Sequence, residues 1–191
     1  MIFMAKKAEK KEVNVEIVSG EVAIPEGTNV EVDGEIVRVK GPLGENTRKF
    51  DGSLLSVAKE GNKITVSATQ NKVLRKKAEV SVNSMVKEIS NDINGVNKYF
   101  EEQMETVFLH FPIIMEAKGD TFTIKNIFGE RKPRTARIVG STKIEVKDKN
   151  VRIYGTSRDD VSQTAANIRM ACKVTNKDVR VFQDGVYHSL E

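Results

Sequence analysis

The chain has 191 residues, 39% of them hydrophobic and 30% charged, with a net charge of +4. That is room for one large or two small domains, and it is the composition of a folded globular chain rather than a disordered one. The longest apolar runs, such as "VFLHFPIIM" (Val107 to Met115), fall well short of the roughly 20 residues of a membrane-spanning helix, and the single cysteine, Cys172, excludes an internal disulfide or a multi-cysteine zinc site.

In chain order, "MIFMAKKAEKKE" places apolar residues ahead of its lysines, the reverse of a signal peptide, and reads as a flexible basic tail over residues 1–12. "NVEVDGEIVRVKG" and "NKITVSA" alternate with period two and predict strands, with turns at Asp33-Gly34 and Gly61-Asn62. A helix follows from about Asn71 to Ile93, with Ala78, Val82, Met85 and Ile89 on one face and Gly95 as its C-terminal stop. A boundary between Gly95 and Asn97 divides the chain into repeats over 13–96 and 97–191. The second opens on a long strand in "EEQMETVFLHFPI" and continues through "DTFTIKN", with a turn at Gly119-Asp120, then "TKIEVK" and "NVRIYG". Its helix starts near Ser157, where Ser157 and Asp160 fit a capping box, and Val161, Ala165, Ile168 and Cys172 form its apolar face. In the last motif, "DVRVFQDGVY", Asp184-Gly185 is a tight-turn signal, Phe182 reads as a core anchor, and Tyr187 is open between anchoring and stacking on a partner.

The halves repeat one another. Gly34, Val37, Val39, Lys40, Leu43, Gly44 and Glu45 fall on Gly119, Phe122, Ile124, Lys125, Phe128, Gly129 and Glu130 at an offset of 85, and "NKITVSA" meets "KNVRIYG" at 87. The expected fold class is α+β: two tandem similar domains from an internal duplication, each a mostly antiparallel sheet with one packed helix.

Charge breaks the symmetry. Residues 96–130 carry a net −3, whereas 131–183 carry +8, the footprint of a polyanion binder. Arg131, Lys132, Arg134 and Arg137 surround Pro133, which argues for a loop that holds them outward, either as phosphate contacts or as a solvated basic turn. The second helix adds Arg158, Arg169 and Lys173. Gln163 and Asn167, one turn apart, either read sugar hydroxyls and base edges or solvate the outer face.

Enzyme signals are poor. His110 sits in an apolar strand, His188 lies near the terminus, and Cys172 is on the buried side of a helix. Neither "GPLGE" nor "IFGER" has the spacing of a phosphate loop. No catalytic residue, metal site, cofactor or small-molecule substrate is expected.

"IPEGTNVEV", "VRVKGPLGE", "HFPI", "NIFGERKPRTARIVGSTKIEV", "QTAANI" and "DVRVFQDGVY", in that order, closely resemble the large-subunit ribosomal protein six family in its archaeal and eukaryotic type, equivalent to eukaryotic large-subunit protein nine. The resemblance covers about residues 13 to 188. It implies two similar α/β domains, large-subunit (23S-type) rRNA and neighbouring large-subunit proteins as partners, and a cytoplasmic place on the ribosome. It also implies a position at the base of the lateral stalk, near the sarcin-ricin region where translation factors dock. The family makes its main rRNA contacts through the second domain. Arg131, Lys132, Arg134, Arg137, Arg158, Gln163, Asn167, Lys173, Arg180 and Asp184 are therefore the candidate RNA face. Ser162 departs from the glycine of the family pattern, and the terminal "HSLE" is no signature of it. From the residues alone, a protein-interaction adaptor with a basic loop stands as the alternative.

Overall fold

The computed structural model describes residues 16–70, 75–109, 111–175 and 177–189. The expectations for the basic tail, for Asn71 as the helix start and for His110 lie outside them.

The first repeat has six strands, β1 (Glu16–Ala23), β2 (Asn29–Asp33), β3 (Ile36–Gly41), β4 (Gly44–Lys49), β5 (Ser56–Glu60) and β6 (Lys63–Gln70), followed by α1 (Arg75–Asn97). The second has β7 (Phe100–Val107), β8 (Ile114–Lys118), β9 (Thr121–Lys125), β10 (Arg134–Arg137), β11 (Lys143–Lys147) and β12 (Asn150–Gly155), then α2 (Arg158–Ala171) and β13 (Gly185–His188). Each repeat divides its strands between two antiparallel sheets. The order is β1-β6-β5 and β2-β3-β4 in the first, and β11-β12-β7-β13 and β10-β9-β8 in the second. The same scheme is thus built twice, and β13 covers the edge of β7.

The duplication is visible residue by residue. Val37 and Val39 of β3 and their counterparts Phe122 and Ile124 of β9 are buried in the two cores, as are Ile64 and Val66 of β6 and Val151 and Ile153 of β12. The turn before β6 uses Gly61 at φ 62, and the turn before β12 uses Asp148 at φ 52, a left-handed position that aspartate tolerates better than most residues. The apolar faces expected of the helices hold: Val82, Met85 and Ile89 of α1 and Val161, Ala165, Ile168 and Cys172 of α2 are all buried. Ser157 caps α2, its hydroxyl accepting from the Asp160 N–H at 3.3 Å.

Gly95 is not a helix stop. α1 runs on to Asn97, and a Cβ on Gly95 would lie 1.8 Å from the carbonyl oxygen of Thr156 in the second repeat. The glycine is there because the repeats touch backbone to side at this point. Beside it, Asn46 Nδ2 donates to Thr156 O at 3.0 Å and Thr156 Oγ1 donates to Asn46 Oδ1 at 2.8 Å, both residues being buried.

Next to that pair, Arg48 on β4 donates to both carboxylate oxygens of Asp92 at 2.6 and 3.1 Å, to Glu88 at 3.1 Å and, across the repeats, to Asp159 at 2.9 Å. Burial pushes the Asp92 carboxyl above the ordinary aspartate value while the Arg48 hydrogen bonds oppose it. The bond to Asp92, foremost among its contacts, holds the Arg48 guanidinium charged. Both Asp92 oxygens accept from the one guanidinium, the bidentate geometry that matches arginine to a carboxylate.

Two outcomes follow. Helix propensity alone favours Ala over Gly by about 1 kcal/mol, but Gly95→Ala will destabilise the protein by about 2 kcal/mol or more in urea unfolding, because the clashing atom is backbone. Arg48→Met will cost about 3 kcal/mol at pH 7 by leaving Asp92 buried and unpaired. Without Arg48, the folded-state pKa of Asp92 rises further above its unfolded value. The deficit will therefore shrink as pH falls from 7 towards about 4; a deficit independent of pH would show that Asp92 is not the cause.

Candidate nucleic-acid interface

The site grows from the turn after β9. Asn126, Phe128 and Gly129 all have positive φ, at 63°, 54° and 72°, and Ile127–Gly129 make one 3₁₀ turn. For phenylalanine that conformation costs about 1–3 kcal/mol. Burial of the Phe128 ring offsets it: Phe182 packs edge-on at 6.1 Å between centroids, and the cations of Arg134 and Lys177 lie 5.3 and 5.5 Å from the ring centre. Phe182 is thus the anchor expected of it.

Glu130 and Arg134 then clasp the base of a loop. Arg134 Nε and Nη2 donate to the two Glu130 oxygens at 2.9 and 2.7 Å, and Nη1 donates to the carbonyls of Ala171 and Lys173 at 3.0 and 2.7 Å. The last carbonyls of α2 lack helical partners, and the guanidinium satisfies them. The hydrogen bonds from Arg134 hold the Glu130 carboxyl below its usual range, and Glu130 in turn raises Arg134.

This corrects the expectation for Arg134: its side chain is 18% exposed and is committed inside the fold. Arg134 and Arg137 also lie on β10, the edge strand of its sheet, rather than in the loop. Pro133 precedes that edge strand, where a missing N–H costs no ladder bond. Arg131 and Lys132, held out between the arms of the clasp, are exposed.

The amides have inward work as well. Gln163 Nε2 donates to Asn167 Oδ1 at 2.9 Å, and Asn167 Nδ2 donates to the Arg137 carbonyl at 3.0 Å. Together with the bond from Val139 N to Thr164 Oγ1 at 3.0 Å, they stitch α2 to β10. Arg137 itself is exposed.

Arg158 and Arg169 are exposed and fall on one flank of α2 at the 100° per residue of a helix, over about 16 Å of axis, and the exposed Lys173 follows just past its end. Among the described residues, none of Arg131, Lys132, Arg137, Arg158, Arg169 and Lys173 has a carboxylate within ion-pair distance.

Asp184 is the second correction. It is buried at 6% exposure, and its Oδ1 accepts the Leu109 N–H at 3.0 Å, a bond that ties the terminal segment to the loop after β7. Asp184-Gly185 forms no tight turn, since Gly185 begins β13. There the Tyr187 ring lies 3.2 Å from where a Cβ would stand, so the glycine makes room for the ring. Tyr187 donates its hydroxyl to Gln183 O at 3.0 Å and keeps its ring part exposed. Arg180 projects into solvent, 3.8 Å from Asp178.

Spacing alone did not reveal Lys177. Its Nζ donates to Phe128 O at 3.3 Å and lies over the Phe182 ring. Cys172 is buried, and burial pushes its thiol up, away from the thiolate a nucleophile needs. Among the described residues, no group of three His, Cys, Asp or Glu side chains could hold a metal ion, and no helix is long and apolar enough to cross a membrane.

The family model for ribosomal protein L6 matches the chain twice, over residues 24–98 and 111–185, once on each repeat. Proteins named large ribosomal subunit protein uL6 are among those similar to this chain. The one from Methanobrevibacter smithii is 41% identical over 87% of this chain and 92% of its own length. The one from Methanothrix thermoacetophila is 40% identical over 91% and 97%, and that of Ignicoccus hospitalis is 40% identical over 87% and 90%. The fold of two matching repeats and the sequence agree that the chain belongs to the ribosomal protein L6 family.

Proposed function

We propose that this protein is a non-catalytic structural constituent of the large ribosomal subunit of cytoplasmic ribosomes, and that it docks on 23S-type rRNA through its second repeat. The observation that carries the reading is the set of six exposed cations without carboxylate partners among the described residues, spread over β10, its preceding loop, one flank of α2 and the residue just past its cap. Phosphates attract such a surface by releasing condensed counterions, and contacts to backbone shape and 2′-hydroxyls follow.

Arg131, Lys132, Arg137, Arg158, Lys173 and Arg180 are the contacting residues in this reading, with Arg169 added to them. Arg134, Gln163, Asn167 and Asp184 hold the face in shape. The division into a tail over 1–12 and repeats over 13–96 and 97–191 assigns the RNA work to the last of these. The resemblance to the family supports placing it beside other large-subunit proteins at the stalk base, near the sarcin-ricin region.

Replacing Arg131, Lys132 and Arg137 together by glutamine will weaken rRNA binding and lower the slope of log affinity against log salt by about 2, with unfolding unchanged. Arg134→Gln will do the reverse, lowering stability by about 2 kcal/mol while leaving the slope in place. An unaltered slope in the triple variant would remove the loop and β10 from the interface. In sucrose gradients the unaltered chain will migrate with the large subunit and leave it after RNase treatment; comigration that resists RNase would favour the adaptor.

A further inference from the structure

Between the C-terminal half of α2 and β13 lies a hollow of about 470 Å³ that none of the contacts described so far fills. Its volume falls within the roughly 300–1,000 Å³ of small-ligand clefts. Ala166, Met170 and Val174 give it apolar walls, and Met170 is 72% exposed among the described residues. His188 closes one side. It stands opposite Met104 in register and so shares the helix-facing side of the sheet, and its Nδ1 lies 2.9 Å from Glu102 Oε1, which fixes the ring. Arg169 on α2 and Lys173 just past its end flank the opening.

An occupant must therefore be anionic at the rim, neutral and planar or apolar within, and able to lie against an imidazole. The Glu102 carboxylate is engaged by His188, so it does not call for a cationic guest. A splayed-out nucleotide has this pattern: phosphate outside, base inside, ring stacked on a fixed aromatic side chain.

We infer that this hollow receives one unpaired nucleotide of the bound RNA. The inference rests on the rRNA-binding reading and adds a base-sized contact to its electrostatic one.

Filling the hollow tests it without altering charge. Ala166→Phe in the full-length chain will weaken binding to large-subunit rRNA about tenfold, keep the salt slope, and expose one unpaired nucleotide to chemical probing that the unaltered chain protects. The double variant Arg169→Gln/Lys173→Gln changes only exposed side chains and covers the case in which the filled variant fails to fold. It will expose the same nucleotide and lower the salt slope. A photo-crosslinking benzoylphenylalanine placed at Met170 in assembled large subunits will give an adduct at that nucleotide.

Wild-type affinity and protection in both variants, or a Met170-position adduct on a protein or scattered over the RNA, would overturn the hollow while leaving the cationic face intact. Absence of rRNA binding by the unaltered chain would overturn both readings.

Discussion

The carbonyl oxygen of Thr156 lies so close to Gly95 that no side chain fits between them, and the arrangement of the molecule depends on that approach. It allows Asn46 and Thr156 to exchange two hydrogen bonds in a buried setting and brings the start of α2 within reach of Arg48. Buried polar groups are costly unless each is satisfied, so the joint tolerates few alternatives. Two repeats with separate cores are thereby fixed in one relative position.

That joint explains why one frame was built twice but made cationic once. β4 and β10 hold equivalent places, each an edge strand beside the helix of its own repeat. β4 meets the second repeat through Asn46 and Arg48, and its arginine is committed to Asp92, Glu88 and Asp159. β10 packs on α2 of its own repeat, and there Arg137 and the loop before it carry charge outward. Equivalent positions thus meet different demands: Arg48 is drawn into the joint, and Arg137 stays exposed.

What was legible in the sequence follows the same division. Apolar periodicity revealed the faces of α1 and α2, because Val82, Ile89, Val161 and Ile168 bury carbon against carbon within their own repeat. β4, "GENTRK", carries no apolar residue, so period-two hydrophobicity was silent about it; its buried partners are polar groups of the other repeat. β1 was hidden by Gly20, which stands where α1 crosses and a Cβ would meet Val86 at 2.6 Å. The cationic character of the second repeat was legible as composition, but not which cations point outward. Arg134 and Arg131 are three residues apart and look alike in sequence, and only the carbonyls at the end of α2 tell them apart.

The joint matches unlike surfaces. The first repeat contributes β4 and the last turns of α1, and the second contributes the entry to α2, with Asp159 facing Arg48. Such a contact is head-to-tail and does not close upon itself, so each repeat carries both kinds of surface and the joint uses one from each. The second repeat's copy of the first kind is β10 with the end of α2, beside which Arg131, Lys132, Arg137 and Lys173 are exposed. Its counterpart in the first repeat already meets an acidic helix start with an arginine. In geometric terms, the proposed polyanion meets on the second repeat the surface with which the first repeat meets its neighbour.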